Sequence, residues 1–397
     1  VPNLSEGFGR LKVEIAQVYF VRSKQMTSDR AIQNVNALNL ISVAILLLLL
    51  TLFENEVIHF FGIASDQPLN FTYYFLVGAV GFNTFLYNAA YFFLSLDAVK
   101  KYNCVLLSRA LLMLIGVLCL FVFDLTTVLF VSVVYFLSYA LPVCFVYGFS
   151  NTGVAQFSFS KGELIELICY AIPLYAGGII SQVGESSIRF FGLKFLDLAS
   201  MSYFFNAQLI SKLASKFIDP VMTLLLAELS SHKDQKKVEI TNTVFRLVFL
   251  ASAIASTVVF LSSDFIITLL YDEAFFASVG ILKFLSFSIV FMTSGSVLVN
   301  YINARGTPGI NSWLSFISYS FLILLLANYD SESSVEFLAE CYVKFSALHL
   351  ALLIITFVVT AKVSVLDLIP RYKDLIIIFK FSVKTAIKIT KRKSIFT

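Results

Sequence analysis

The sequence predicts an all-α, polytopic membrane protein, and two observations carry that expectation. About ten apolar stretches, each long enough or nearly so to cross a bilayer, follow one another along the chain. The loops between them alternate between basic and nearly base-free, and Lys and Arg mark cytoplasmic loops, so the chain threads back and forth. Composition agrees: 58% of the 397 residues are hydrophobic, 42 are Phe and only 14% are charged, where a soluble chain carries roughly 25% charge. No polar interval leaves room for a sizeable water-soluble domain. The net charge of +4 says less than its distribution.

Taken in order, the spans fall at 38–60, 73–96, 104–123, 127–149, 166–188, 200–228, 243–270, 278–301, 310–328 and 339–361. Arg10, Lys12, Arg22, Lys24 and Arg30 place the opening segment in the cytoplasm as a polar stretch, and the loop after the first span holds Glu54, Glu56 and Asp66 with no base. Lys100, Lys101 and Arg109 return the chain to the basic side before a tight turn at Asp124, and Lys161 marks the middle loop weakly. Arg189 and Lys194 are the two bases that fall in loops of the opposite side. Further on, Lys233, Lys236 and Lys237 are basic, Asp264, Asp272 and Glu273 acidic, and Arg305 sits in the turn Asn303 to Gly309. The loop from Asp330 to Glu340 is acidic, and the tail gathers bases from Lys362 to Lys393. Both the start and the tail are thus read as cytoplasmic. Beyond Pro370, Lys380, Lys384 and Lys388 recur every four residues beside Ile376, Ile377, Phe381 and Ile387. That spacing suits either a basic amphipathic helix on the inner leaflet, with membrane lipid as its partner, or a partly ordered stop-transfer tail.

Several functions are disfavoured by what is missing. The five cysteines are scattered with no Cys-x-x-Cys or Cys/His cluster, so neither a metal site nor a disulfide framework is expected. There is no phosphate-binding glycine loop followed by Lys-Ser/Thr, no regular Arg ladder and no pore-filter signature. Nothing suggests nucleic acid as a partner or a cofactor. A substrate carrier fits better than an enzyme or a channel.

An ionisable side chain at membrane depth costs free energy unless it meets a partner or water, which makes each one a functional candidate. The sixth span carries Ser211, Lys212, Ser215, Lys216, Asp219 and Pro220. On a helix Ser211 and Ser215 stand one turn apart, as do Lys212 and Lys216, with Asp219 three residues further on. Pro220 predicts a loosening or kink just past the charges. One reading has Lys212 and Lys216 lining a cavity for an anionic substrate. The other has Asp219 neutralising Lys216 while Lys212 extends towards headgroups. Lys283 and Lys344, near span starts, suit the latter behaviour. His349 is either a proton-coupling group or hydrogen-bonded packing. Glu185 and Arg189, at i and i+4, form either a gating pair or a pair that stabilises a helix end.

The stretch Tyr170-Ala171-Ile172-Pro173-Leu174-Tyr175-Ala176-Gly177-Gly178, followed by Arg189, Phe191-Gly192 and Ser202-Tyr203, resembles the start of the second half of polysaccharide exporters. Ile267 to Phe275 resembles an acidic-x-Phe loop of the same family, and Asn303 to Gly309 its small Gly-containing turn. The whole chain is similar to Wzx-type O-antigen flippases of the multidrug/oligosaccharidyl-lipid/polysaccharide (MOP) exporter superfamily, which also contains the multidrug (MATE) exporters. Two positions depart from the family pattern: Ile188 stands where it has an Asp before Arg, and Met201-Ser202-Tyr203 lacks its Gly.

The resemblance implies twelve spans in two six-helix bundles around a central cavity, with two helices preceding Val1. On that register residues 1–149 are the remainder of the first bundle, 150–165 a cytoplasmic linker, 166–361 the second bundle and 362–397 a basic tail. It further implies a bacterial inner-membrane protein that moves undecaprenyl-diphosphate-linked oligosaccharide by alternating access. An ion gradient, H+ or Na+, would drive it, and other polysaccharide-assembly proteins would be partners. The alternatives are a multidrug or cation exporter of the same superfamily, which predicts acidic residues at membrane depth, and a membrane O-antigen polymerase, which wants a large Arg-bearing external loop.

Overall fold

The computed structural model describes residues 11–53, 69–125, 127–149, 160–271, 273–328 and 334–374. Among these the protein is all-α, as the hydropathy predicts. The helices are α1 (Val13–Arg22), α2 (Ser28–Leu52), α3 (Leu69–Ser95), α4 (Val99–Val122), α5 (Val128–Phe149), α6 (Lys161–Phe195), α7 (Leu198–Lys216), α8 (Asp219–Ser230), α9 (Asp234–Leu261), α10 (Ser263–Leu270), α11 (Ser278–Ala304), α12 (Pro308–Ala327) and α13 (Val335–Ala361). Eight of them (α2, α4, α5, α6, α9, α11, α12 and α13) are long and apolar enough to cross a membrane, and α3 has 27 residues. The chain divides into two compact units, Val1–Ile179 and Ile180–Thr397, and the boundary falls inside the 35-residue helix α6. Most of the expected linker at 150–165 and the amphipathic stretch around Lys380 lie outside the described residues.

In the first unit the opening segment departs from expectation. The bases of that segment suggest a polar stretch, whereas the structure makes Val13–Arg22 a buried helix. Val13, Ala16 and Phe20 pack with Ala31, Val35 and Leu38 of α2 and with Leu167, Tyr170 and Ala171 of α6. The Tyr19 ring stacks on Tyr170 at 4.7 Å. Ten residues make a helix of about 15 Å, too short to register as a span. Glu14 and Gln17 break its apolar run although both are buried. The first span accordingly begins at Ser28 rather than near residue 38.

Polar contacts gather the turns that the sequence marks as basic at one end of this unit. Arg22 pairs with Asp97 at 3.4 Å and Arg30 with Glu163 at 3.0 Å. Asn34 donates to Glu163 at 3.0 Å and accepts from the Ser160 N–H at 3.0 Å. The α1–α2 turn, the α3–α4 turn and the start of α6 therefore meet, as an alternating thread requires. Deeper in the unit, Asn88 donates to Asn36 at 2.5 Å and the Tyr147 hydroxyl donates to the same Asn36 oxygen at 3.0 Å. The Arg109 guanidinium lies 4.2 Å from the Tyr139 ring centroid.

The second unit is organised around α11, the most buried of the eight long apolar helices. Small residues on it (Ser286, Ser288, Ser294, Gly295) are all buried, which lets α7, α9 and α13 approach closely. Lipid tails are as apolar as side chains, so such packing rather than water exclusion holds helices together here. Two hydroxyls from neighbouring helices reach the α11 backbone: Ser211 donates to the Leu285 carbonyl at 3.1 Å and Ser256 to the Ser286 carbonyl at 2.8 Å. Most other span hydroxyls instead donate to a carbonyl of their own helix, for example Ser42 to Leu38, Ser132 to Val128 and Ser346 to Tyr342.

Two expected spans are divided. Span 200–228 breaks at Phe217–Ile218 into α7 and α8, as Pro220 predicts: it sits in the first turn of α8, where its missing N–H is harmless. Span 243–270 reads as one apolar run but is α9 and α10, which meet at Ser262. The Ser262 hydroxyl donates to Val258 at 2.5 Å and the Ser263 hydroxyl to Phe260 at 3.0 Å. The turn Asn303 to Gly309 joins α11 to α12, with Gly306 at φ 85°, the left-handed region that favours glycine.

Bases close one end of this unit too. Lys237 donates to the Ala304 carbonyl at 2.9 Å and Arg305 to Thr360 at 2.7 Å, each at the C-terminal end of a helix. Arg246 pairs with Asp374 at 2.9 Å and donates to the Asp367 carbonyl at 2.9 Å. This holds the strap after α13, residues 363–374, against α9.

Candidate functional site

The polar groups at membrane depth in the second unit converge on α6 and α7. These two helices form an antiparallel pair joined by the turn at Leu196–Asp197. Asp197 caps α7 by accepting from the Ser200 N–H at 3.1 Å. The hydrogen bonds from Ser200 hold the Asp197 carboxyl below the usual carboxylate range. Glu185 precedes the end of α6 at Phe195, and Lys212 follows the start of α7 at Leu198. At 1.5 Å per residue they stand about 15 and 21 Å along their helices from the turn.

There they form an ion pair. Lys212 Nζ donates to Glu185 Oε2 at 2.7 Å, with about a third of each side chain exposed (32% and 34%). Ser181, one turn before Glu185, hydrogen-bonds Tyr319 of α12. Tyr319 and Tyr342 of α13 both lie close enough to feel the Glu185 charge. The close approach of Tyr319 depends on Gly184, because a Cβ there would overlap the tyrosine ring. Tyr319 packs on Phe345 with ring centroids 4.5 Å apart, and Phe345 stacks on His349. His349 Nδ1 hydrogen-bonds the Ser318 hydroxyl at 3.0 Å. Four helices thus build one polar and aromatic cluster.

The structure sorts the residues singled out in the sequence. Ser211 turns away from Lys212 and is buried against α11, its hydroxyl between the Leu285 carbonyl and the Ser288 hydroxyl. Ser215 donates to the Ser211 carbonyl at 3.2 Å. Lys216 is exposed one turn beyond Lys212 and makes no ion pair among the described residues. Asp219 is also exposed and feels the Lys216 charge, but lies across the break between α7 and α8. Glu185 pairs with Lys212 rather than with Arg189, whose guanidinium lies 5.6 Å from the Phe205 ring centroid. Lys283 pairs with Asp264 at 3.2 Å and Lys344 with Glu340, one turn before it on α13, at 2.8 Å. The sequence reading missed Ser181, Tyr319 and Tyr342. Gly184 beside a carboxylate in mid-span was the available signal.

No family model and no curated protein matches the sequence, but solved structures do. A MATE transporter from Vibrio cholerae in its bent form superposes with a TM-score of 0.73 at 12% identity, over 91% of this chain and 85% of that one. An outward-facing multidrug-resistance MATE transporter of the MOP superfamily gives 0.75 at 10% identity, over 91% and 84%. A MOP superfamily transporter from Pyrococcus furiosus, described as having a binding pocket of reverse polarity that suggests a different function, gives 0.73 at 11%, over 91% and 86%. The chain has the fold of the MATE/MOP transporters.

Proposed function

We propose that the protein is an alternating-access transporter that moves an anionic amphiphile, a lipid-linked oligosaccharide bearing a diphosphate, across the bacterial inner membrane. One observation carries the choice of an anion: α7 presents Lys212 and Lys216 one turn apart, Lys212 in a pair open on one side and Lys216 exposed with no ion pair among the described residues. Coulomb attraction is strong where screening is poor, and two adjacent ammonium groups match the two charges of a diphosphate. Lysine is a flexible point charge, which suits release better than a rigid guanidinium fork does. The sequence resemblance to O-antigen flippases supports the same substrate, with an ion gradient as energy source, both chain ends in the cytoplasm, and no enzymatic role.

The test is complementation of a strain that lacks surface-polysaccharide export. Lys212→Ala with Lys216→Ala, at equal protein level, is expected to abolish export, and wild-type export would refute the anion reading. One observation favours a second reading: Glu185 is a carboxylate about one-third exposed beside two tyrosines, a setting that also suits a cationic drug. That reading predicts that Glu185→Gln abolishes drug efflux while the double lysine variant retains it.

A further inference from the structure

We infer that the strap after α13 is a docking site for anionic phospholipid. Val365, Leu366, Ile369 and Tyr372 enter the interfacial layer of the membrane, and Lys362, Arg371 and Lys373 take phosphate oxygens of the headgroups.

The course of the strap places it there. Helices α11 and α13 finish level with one another, because Arg305, just past the end of α11, donates to the Thr360 carbonyl. Lys237 of α9 reaches the same level by donating to the Ala304 carbonyl. From that level the strap turns back along α9. The Asp367 carbonyl and the Asp374 carboxylate are both held by Arg246, nine residues beyond Lys237. Nine residues are about 14 Å of helix. They run from the polar start of α9, Asp234 to Thr243, to the apolar run that begins at Val244. Arg246 therefore marks the level where water gives way to lipid, and the strap lies beside it.

The strap is folded and has two faces. Ser364 and Asp367 cap its 3-10 turn, Val365–Leu368, reciprocally, and Asp374 accepts from the Arg371 N–H at 2.8 Å. Leu368 and Asp374 are buried, whereas Val365, Leu366, Ile369 and Tyr372 are 51–78% exposed. Aliphatic and tyrosine side chains beside the end of a span are unfavourable in water and suited to the interface. Arg371 reaches Asp367 at 3.5 Å but stays 59% exposed, which leaves N–H groups for a phosphate. Lys362 and Lys373 are exposed, with no ion pair among the described residues. With Asp374 paired to Arg246, the strap sets three bases against one carboxylate, Asp367. That surplus selects an anionic headgroup over a zwitterionic one.

The experiment places the full chain in nanodiscs of phosphatidylcholine, alone or mixed with phosphatidylglycerol. Tyr372→Trp in a Trp313→Phe background, which removes the one native tryptophan, reports lipid contact through quenching by brominated acyl chains. Amide exchange over residues 363–374 reports how firmly the strap is held. Strong quenching at position 372 is expected, with exchange about tenfold slower in the phosphatidylglycerol discs. Lys362→Gln, Arg371→Gln and Lys373→Gln together are expected to give one exchange rate in both lipids. Each chain is compared with itself in two lipids, so a strap loosened by substitution still gives a clear result. Absence of quenching at position 372 puts the patch in water or under another protein, and overturns the site. Equal exchange of wild type in the two lipids, or slowing that survives the triple substitution, overturns the role of the bases and with it the anionic headgroup. Slowing reproduced by inorganic phosphate in phosphatidylcholine discs overturns lipid as the occupant.

Discussion

Asp374→Ala is expected to release the strap after α13. Asp374 and Arg246 are 3% and 9% exposed, and the carboxylate accepts from Arg246 Nε at 2.9 Å and from the Arg371 N–H at 2.8 Å. Removing one member of a buried pair leaves an uncompensated charge, which costs about 3–5 kcal/mol. Part of that cost is relieved here because Arg246 keeps the Asp367 carbonyl as an acceptor, so the lower figure, about 3 kcal/mol, is expected. That corresponds to roughly a hundredfold faster opening, read as amide hydrogen exchange over residues 363–374 in the detergent-solubilised chain. Arg246→Met with Asp374→Leu removes both charges and should come within about 1 kcal/mol of wild type or exceed it, giving a coupling of about 2–3 kcal/mol in the double-mutant cycle. Strap exchange unchanged in Asp374→Ala, or a double variant as damaged as the single, would refute the reasoning.

Three further outcomes follow from the packing. Gly184→Ala drives a methyl into the Tyr319 ring and is expected to destabilise the second unit by about 1–3 kcal/mol, with Tyr319→Leu partly restoring the loss in thermal unfolding. Ser211→Ala removes the hydroxyl bond to the Leu285 carbonyl and should cost about 0.6–1.7 kcal/mol, measured by unfolding in mixed micelles; a neutral effect would show that α7 and α11 hold by side-chain contact alone. Asp197 has a depressed carboxyl because Ser200 bonds its charged form, so its contribution is present above the ordinary carboxylate range and fades as pH falls through the folded value. Asp197→Ala should therefore lower the melting temperature at pH 7, by an amount that shrinks as the pH falls below the ordinary carboxylate range.

The spans were legible because a long apolar run has one meaning in a chain of this composition, and the break at Phe217–Ile218 because Pro220 cannot continue the α7 ladder. Helix α1 was not, since ten residues interrupted by Glu14 and Gln17 look like a loop until Tyr170 and Leu167 are seen covering them. The division of α9 from α10 hides in an unbroken hydropathic run. At the site, helical spacing correctly puts Lys212 and Lys216 in one row but treats Ser211 as their companion, although only 3.6 residues make a turn and Ser211 falls on the side facing α11. The Glu185–Lys212 pair belongs to two helices at once. No periodicity within either helix announces it, whereas Arg189 at i+4 was the nearer and wrong partner.

The two kinds of hydroxyl and charge contact differ in when they can be made. A serine that donates to its own helix is satisfied as soon as that helix forms, so Ser42, Ser132 or Ser346 burdens no stage of membrane insertion. Glu185 and Lys212 must wait for one another, but only 27 residues separate them. At about 5–20 residues per second of synthesis, the lysine follows the glutamate within about 1–5 seconds. The two helices can then leave the insertion machinery as a hairpin whose charges already cancel, whereas Arg246, which waits for Asp374 128 residues later, must stay at the water-facing end until the chain is almost finished.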